Sequence, residues 1–115
     1  MYSECVFCEI AAGRIKAEVL YQDDDIIAFR DINAQAPLHV LLIPRKHIET
    51  LNDVSPGDAD ILSKLILAAK ELAGKEGISE DGYRLVINCN RNAGQEVFHL
   101  HVHLLGGRKF SWPPG

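Results

Sequence analysis

The sequence has too little apolar continuity and too little positive charge for a membrane or a nucleic acid. None of its 115 residues falls in an apolar run near the roughly 20 needed to cross a bilayer. Residues 1–16 (MYSECVFCEIAAGRIK) have neither a basic nor an apolar segment of the kind a signal peptide needs. Positive charge is scarce, with 12 Lys+Arg against 16 Asp+Glu and a net charge of −4. Nucleic acids and anionic membranes both require a dense Lys/Arg surface, so neither is expected as a partner. A small anionic ligand remains compatible, because a site can be locally positive. There are only three cysteines, Cys5, Cys8 and Cys89. An odd count without a secretory signal points to reduced thiols or metal ligands rather than a disulfide framework, and to a cytoplasmic location. Cys89 reads as a small buried residue. Repeats, low-complexity tracts and Pro/Gly/Ser linkers are also missing, so residues 1–115 form one domain, which should bury roughly 65% of its unfolded surface.

What is present is an ordinary globular composition, 47% hydrophobic and 24% charged, which excludes wholesale disorder. Phe7, Ile10 and Ala11 suit a short helix over residues 7–15, with Gly13 as its stop. Residues 18–21 and 26–30 read as a hairpin around Asp23-Asp24-Asp25, a solvated turn rather than a metal site. Residues 39–43 (HVLLI) read as a buried strand stopped by Pro44. Ser55-Pro56-Gly57-Asp58 opens the longest element, a helix whose Ile61, Leu62, Leu65, Ile66, Ala69, Leu72 and Ala73 form one apolar stripe, ended by Gly74 and Gly77. Strands follow at residues 83–88 and 99–105. Strands outnumber helices, and several are joined by short loops. The expectation is therefore an α+β fold: an antiparallel sheet of about five strands with one long and one short helix, the helices on one face.

The chemistry is concentrated in residues 99–105, HLHVHLL. Alternation along a strand puts His99, His101 and His103 on one face and Leu100, Val102 and Leu104 on the other. A row of imidazoles is not required by packing. It can supply a nucleophile, a proton donor and a phosphate-binding group, or it can hold zinc. A surface strand that is merely rich in histidine is the bland alternative. Just before it, residues 92–96 (NAGQE) offer glycine-permitted backbone amides that could cradle a phosphate.

HLHVHLL fits the histidine triad pattern of the HIT superfamily, and the chain resembles its Hint branch, the nucleoside phosphoramidate hydrolases. The resemblance is carried by residues 29–48 (FRDINAQAPLHVLLIPRKHI) and 92–115 (NAGQEVFHLHVHLLGGRKFSWPPG), and extends over nearly the whole chain. It implies a HIT-like fold with His39, His99, His101 and His103 as the catalytic set. His101 would attack the phosphorus of a purine nucleoside 5′-phosphoramidate to give a covalent nucleotidyl-histidine. His103 would contact the phosphate, and His39 would hold or polarise His101. Asn88 and the backbone at Gly94 and Gln95 would complete the phosphate site, with Glu96 and Val97 also at the nucleotide. Asp31 would accept the ribose hydroxyls, although it could equally cap a turn, and Phe7, Ile10, Phe29 and Ile32 would form an apolar slot for the purine. Glu96 departs from the eukaryotic serine of the branch, which puts the leaving-group step in doubt. The resemblance further implies a homodimer joining two sheets, with residues 111–115, Trp112 among them, reaching the partner's site.

Cys5-x-x-Cys8 has the spacing of half a zinc site. The same resemblance implies its completion by His47 and His99 as a structural zinc, with no metal needed for the chemical step. Rival readings are a nucleotide-binding regulatory module with incidental hydrolysis, a metalloenzyme using all three triad histidines as ligands, and a dinucleoside polyphosphate hydrolase.

Overall fold

The computed structural model describes residues 5–115; residues 1–4 lie outside it. Five strands, β1 (Val19–Gln22), β2 (Ile26–Arg30), β3 (Leu38–Pro44), β4 (Tyr83–Val86) and β5 (Val102–Gly106), form one sheet in the order β1-β2-β3-β5-β4. Every neighbouring pair is antiparallel. Two helices accompany it, α1 (Val6–Ala11) and α2 (Ala59–Lys75). The α+β architecture is the one expected. Among the described residues no helix is long and apolar enough to cross a membrane.

Local chemistry accounts for the element ends. At the hairpin, Asp23 Oδ1 accepts from the N–H groups of Asp25 and Ile26 at 2.8 and 2.9 Å, while Lys64 pairs with Asp23 and Asp25. This is the self-capped acidic turn the sequence suggested. Ser55 and Asp58 cap a 3-10 turn over Pro56–Asp58 that leads into α2. Gly77, at φ +76°, ends α2: its N–H donates to the Gly74 carbonyl and that of Ile78 to the Ala73 carbonyl. That pair of bonds needs a left-handed residue after the helix. Gly74 itself stays within the helix, and its end belongs to Gly77 alone.

Alternation divides the sheet into two faces. Ile26, Ala28, Leu38, Val40, Leu42, Val102 and Leu104 pack beneath Leu65, Ala69, Leu72 and Ala73 of α2. On the opposite face Ile27, Phe29, Leu41 and Ile43 form a smaller core with Phe7 of α1. The expectation of helices on one face is therefore corrected. All seven β3 residues are buried because both faces are covered. Ile66 departs from its expected place too: it is exposed beside Leu67, since the buried stripe of α2 narrows to Leu65, Ala69, Leu72 and Ala73. The last strand is also shorter than expected. It begins at Val102, and His99 to His101 lie in irregular chain ahead of it.

Leu65 is fully buried at the centre of the larger core. Leu65→Ala should lower the unfolding free energy by about 2–5 kcal/mol in urea titration, without altering the geometry of the opposite face.

Candidate active site

The register of β3 on β5 aligns Leu41 with His103 and His39 with Leu105. His39 and His103 are thus diagonal neighbours on one face, near enough for their rings to meet. Their Nε2 and Nδ1 atoms lie 2.9 Å apart. The expectation that His39 holds His101 is corrected here, because the ladder ends at Leu42↔Val102 and His101 lies beyond it. What holds His101 is backbone: its Nδ1 donates to the His99 carbonyl at 2.8 Å. The rings of His101 and His103 are 4.9 Å apart.

These contacts fix where the protons sit. A carbonyl only accepts, so His101 Nδ1 carries its proton and Nε2 is left with a lone pair. The Gln35 N–H only donates, and it lies 3.0 Å from His39 Nδ1. His39 therefore carries its proton on Nε2 and donates it to His103 Nδ1. His103 in turn keeps its own proton on Nε2. Two adjacent imidazoles thus offer opposite functions, a nucleophilic lone pair on His101 and an N–H donor on His103. Burial favours the neutral forms this requires. It lowers His39 against the opposing pull of Asp31, and lowers His103 to about 4, helped by His101 and His39.

Beside His39 and His103 lies a groove of about 340 Å³, lined also by Asn88, Arg84, Arg108 and Phe110. Asn88 is half-buried there. Asp31 lies at its edge, with Oδ2 3.4 Å from His39 Nε2. Its Oδ1 accepts from the Asn33 N–H, so it also caps the turn after β2. Phe7 and Phe29 meet edge-to-face at 5.6 Å and Phe7 lies against His101 at 5.1 Å, backing that imidazole. Ile10 and Val97 pack on the same small core.

Several expected contacts take another form. Ile32 is fully exposed at the loop tip and lines no slot within the chain. The Gly94 and Gln95 amides donate to the carbonyls of Arg91 and Asn90, so they are spent within their own loop rather than open to an anion. The buried Gln95 side chain is a brace: it accepts from the Asn90 N–H and donates to the carbonyls of Glu49 and Val97. Glu96 is exposed beside it, and Cys89 is half-buried rather than buried. Ser111, Pro113 and Pro114 line the groove of their own chain, while Trp112 stands 81% exposed. Sequence reasoning passed over Gln35 and Pro44, whose parts are played by peptide groups that no side-chain pattern marks.

A second cluster joins Cys5, Cys8, His47 and His99, whose ligand atoms all lie within 4.8 Å of one another. Cys5 caps α1, its sulfur accepting from the Cys8 N–H, which brings both sulfurs to one side. Sulfur to Nδ1 separations are 3.2 Å for Cys8–His47, 3.4 Å for Cys5–His99 and 3.5 Å for Cys8–His99. A tetrahedral zinc bound by sulfur and imidazole has an S···N edge of about 3.5 Å. His99 donates Nε2–H to the Pro44 carbonyl at 2.7 Å, leaving Nδ1 free to ligate. Burial and Cys5 push the Cys8 thiol up to about 11, so a pair of thiolates here calls for a cation between them. The residues fit a zinc ion. Asp31, His39 and His103 also converge. They do not fit one, because the Gln35 N–H on Nδ1 keeps the His39 Nε2 protonated. With His99 turned to the cysteines, the three triad histidines cannot share one metal.

Fold and site define a class: an α+β domain with adjacent imidazoles beside an open groove. The comparisons narrow it. The family described as HIT domain matches residues 12–110. The chain is 51% identical over 108 residues to the purine nucleoside phosphoramidase of Escherichia coli strain K12, covering 94% of this chain and 91% of that protein. Its structure superposes with a TM-score of 0.95 on a HIT family hydrolase from Legionella pneumophila Philadelphia 1, at 57% identity and covering 96% and 99% of the two chains. A histidine triad nucleotide-binding protein from Candida albicans matches with a TM-score of 0.82 and 31% identity, covering 95% of this chain and 82% of that one. The chain belongs to the HIT family.

Because His103 is held near 4 in the fold against an ordinary 6.5, the unfolded chain takes up that proton first. Its contribution to stability is full above about 6.5 and is lost as pH falls toward 4. Denaturation midpoints across that window should fall less steeply in His103→Gln than in the wild type.

Proposed function

We propose that the protein hydrolyses the P–N bond of purine nucleoside 5′-phosphoramidates through a covalent intermediate on His101. The observation that carries this reading is the pairing of opposite tautomers: a lone pair on His101 Nε2 beside an N–H on His103 Nε2. In the first step Nε2 of His101 attacks phosphorus, and the P–N bond to the amine breaks as the amine takes up a proton. In the second, water attacks the same phosphorus, the P–Nε2 bond breaks, and a nucleoside monophosphate leaves. Division into two displacements lowers each barrier. His103 donates to a phosphoryl oxygen as charge builds, and Arg84 lends the groove positive charge in an otherwise acidic protein. Asp31 would accept the ribose hydroxyls, and the exposed Glu96 would relay a proton from solvent to the departing amine. The name of the E. coli relative supports the purine phosphoramidate class.

The Cys5–Cys8–His47–His99 cluster would hold a structural zinc that takes no part in bond making. The ion would supply a fixed cross-link between the N-terminal segment and the chain entering β5. The free edge of β4 is where a second copy would join its sheet to form a homodimer, and the protein would work in the cytoplasm.

His101→Ala should reduce turnover of adenosine 5′-phosphoramidate at least about 1,000-fold while AMP binding persists in calorimetry. Appreciable residual turnover would overturn the assignment of the nucleophile. AMP binding by a wild type that turns over neither phosphoramidates nor acyl nucleotides would favour the regulatory module instead. Metal analysis of purified protein should find one zinc per chain, and Cys8→Ser should lose it and melt at a lower temperature.

A further inference from the structure

Nothing in the chemistry of His39 alone decides which ring nitrogen carries its proton. The decision falls to the Gln35 N–H at 3.0 Å from Nδ1. Asp31 Oδ2, at 3.4 Å from Nε2, adds attraction but lies too far to fix the proton by itself. Gln35 is exposed and sits in the loop between β2 and β3, where an unsupported N–H would readily turn to water. The chain leaving β5 supports it. Arg108 donates from Nε and Nη2 to the Gln35 carbonyl at 3.2 and 3.1 Å. Gly107, at φ +90°, packs so closely on Pro37 that an added Cβ would meet the ring at 2.8 Å. The Arg108 guanidinium is itself seated 4.3 Å from the centre of the Phe110 ring, with Arg84 5.1 Å from that centre.

We propose that Arg108 is a positioning residue for the reaction: by gripping the Gln35 carbonyl it keeps the Gln35 N–H on His39 Nδ1, and through His39 keeps the His103 Nε2–H available as a donor. The sequence of contacts runs Arg108, Gln35, His39, His103; the bonds made by Gln35 each have one chemically permitted direction, and the link between the two imidazoles takes its direction from them. A guanidinium only donates, a peptide carbonyl only accepts, and a peptide N–H only donates. The relay therefore sets a proton position at a ring that Arg108 never touches. Such outer supports are worth about 10–100-fold in activity at sites of comparable construction. The role of Arg108 rests on the phosphoramidate reading only for its catalytic consequence; the tautomer it sets is observable without substrate.

The test uses the full chain, uniformly labelled with ¹⁵N. In the wild type at pH 7.5, imidazole ¹⁵N shifts should report His39 and His103 as Nε2-protonated. In Arg108→Ala both patterns should move toward the averaged values of a free imidazole, and kcat for adenosine 5′-phosphoramidate should fall about 10–100-fold with KM little changed. Arg108→Lys, which keeps a donor, should recover part of both effects. Gly107→Ala gives the same signature by an independent route, pushing Pro37 without removing charge, and melting curves establish that each variant is folded. Folded Arg108→Ala and Gly107→Ala with wild-type ¹⁵N patterns would overturn the proposal. So would a rise in KM at constant kcat, which would make Arg108 a substrate contact. A wild type with the expected tautomers but no turnover would sink the phosphoramidate reading and leave the relay standing.

Discussion

A neutral imidazole has two nitrogens and one proton, and at this site peptide groups decide which nitrogen holds it. The His99 carbonyl takes the Nδ1 proton of His101, the Pro44 carbonyl takes the Nε2 proton of His99, and the Gln35 N–H occupies Nδ1 of His39. Every chemical role follows from those three bonds. The first of them exists because the β5 ladder stops at Val102, which frees the chain over His99–His101 to turn a carbonyl back onto a ring. A strand continued to His99 would have committed that carbonyl to ladder bonding or to solvent.

Burial on both faces of the sheet makes the arrangement durable. The larger core under α2 holds β2, β3 and β5 in register, and the smaller core under α1 seals the histidine face. Desolvation then favours the neutral rings of His99 and His103, and a neutral His103 keeps a single N–H in a fixed place. Dry polar groups are costly unless paired. Among the described residues no buried side-chain nitrogen or oxygen lacks a partner.

His99 links the two clusters. Its ring faces Cys5 and Cys8 while its carbonyl holds the ring of His101. The N-terminal helix, which contributes Phe7 to the wall behind His101, is tied to the same point. Order in the first turn of α1 and orientation of the His101 ring are thus parts of one local structure, although they lie more than ninety residues apart in the chain.

Much of this was legible in the sequence because it rests on local periodicity. Alternation in HLHVHLL separated histidines from aliphatics, the acidic turn and the Ser55–Asp58 cap marked element ends, and the triad with its flanking blocks identified the family. The Cys5-x-x-Cys8 spacing likewise marked half a donor set. What only the tertiary structure decided depends on register and on main-chain direction. It assigned His39 to His103 instead of His101, spent the Gly94 and Gln95 amides inside their loop, left Ile32 in solvent and put α1 on the face opposite α2. Side-chain type fixes what a residue can do, but a peptide N–H or carbonyl is the same at every position. Which of them meets an imidazole is settled by how the strands align, and that alignment is a property of the folded chain as a whole.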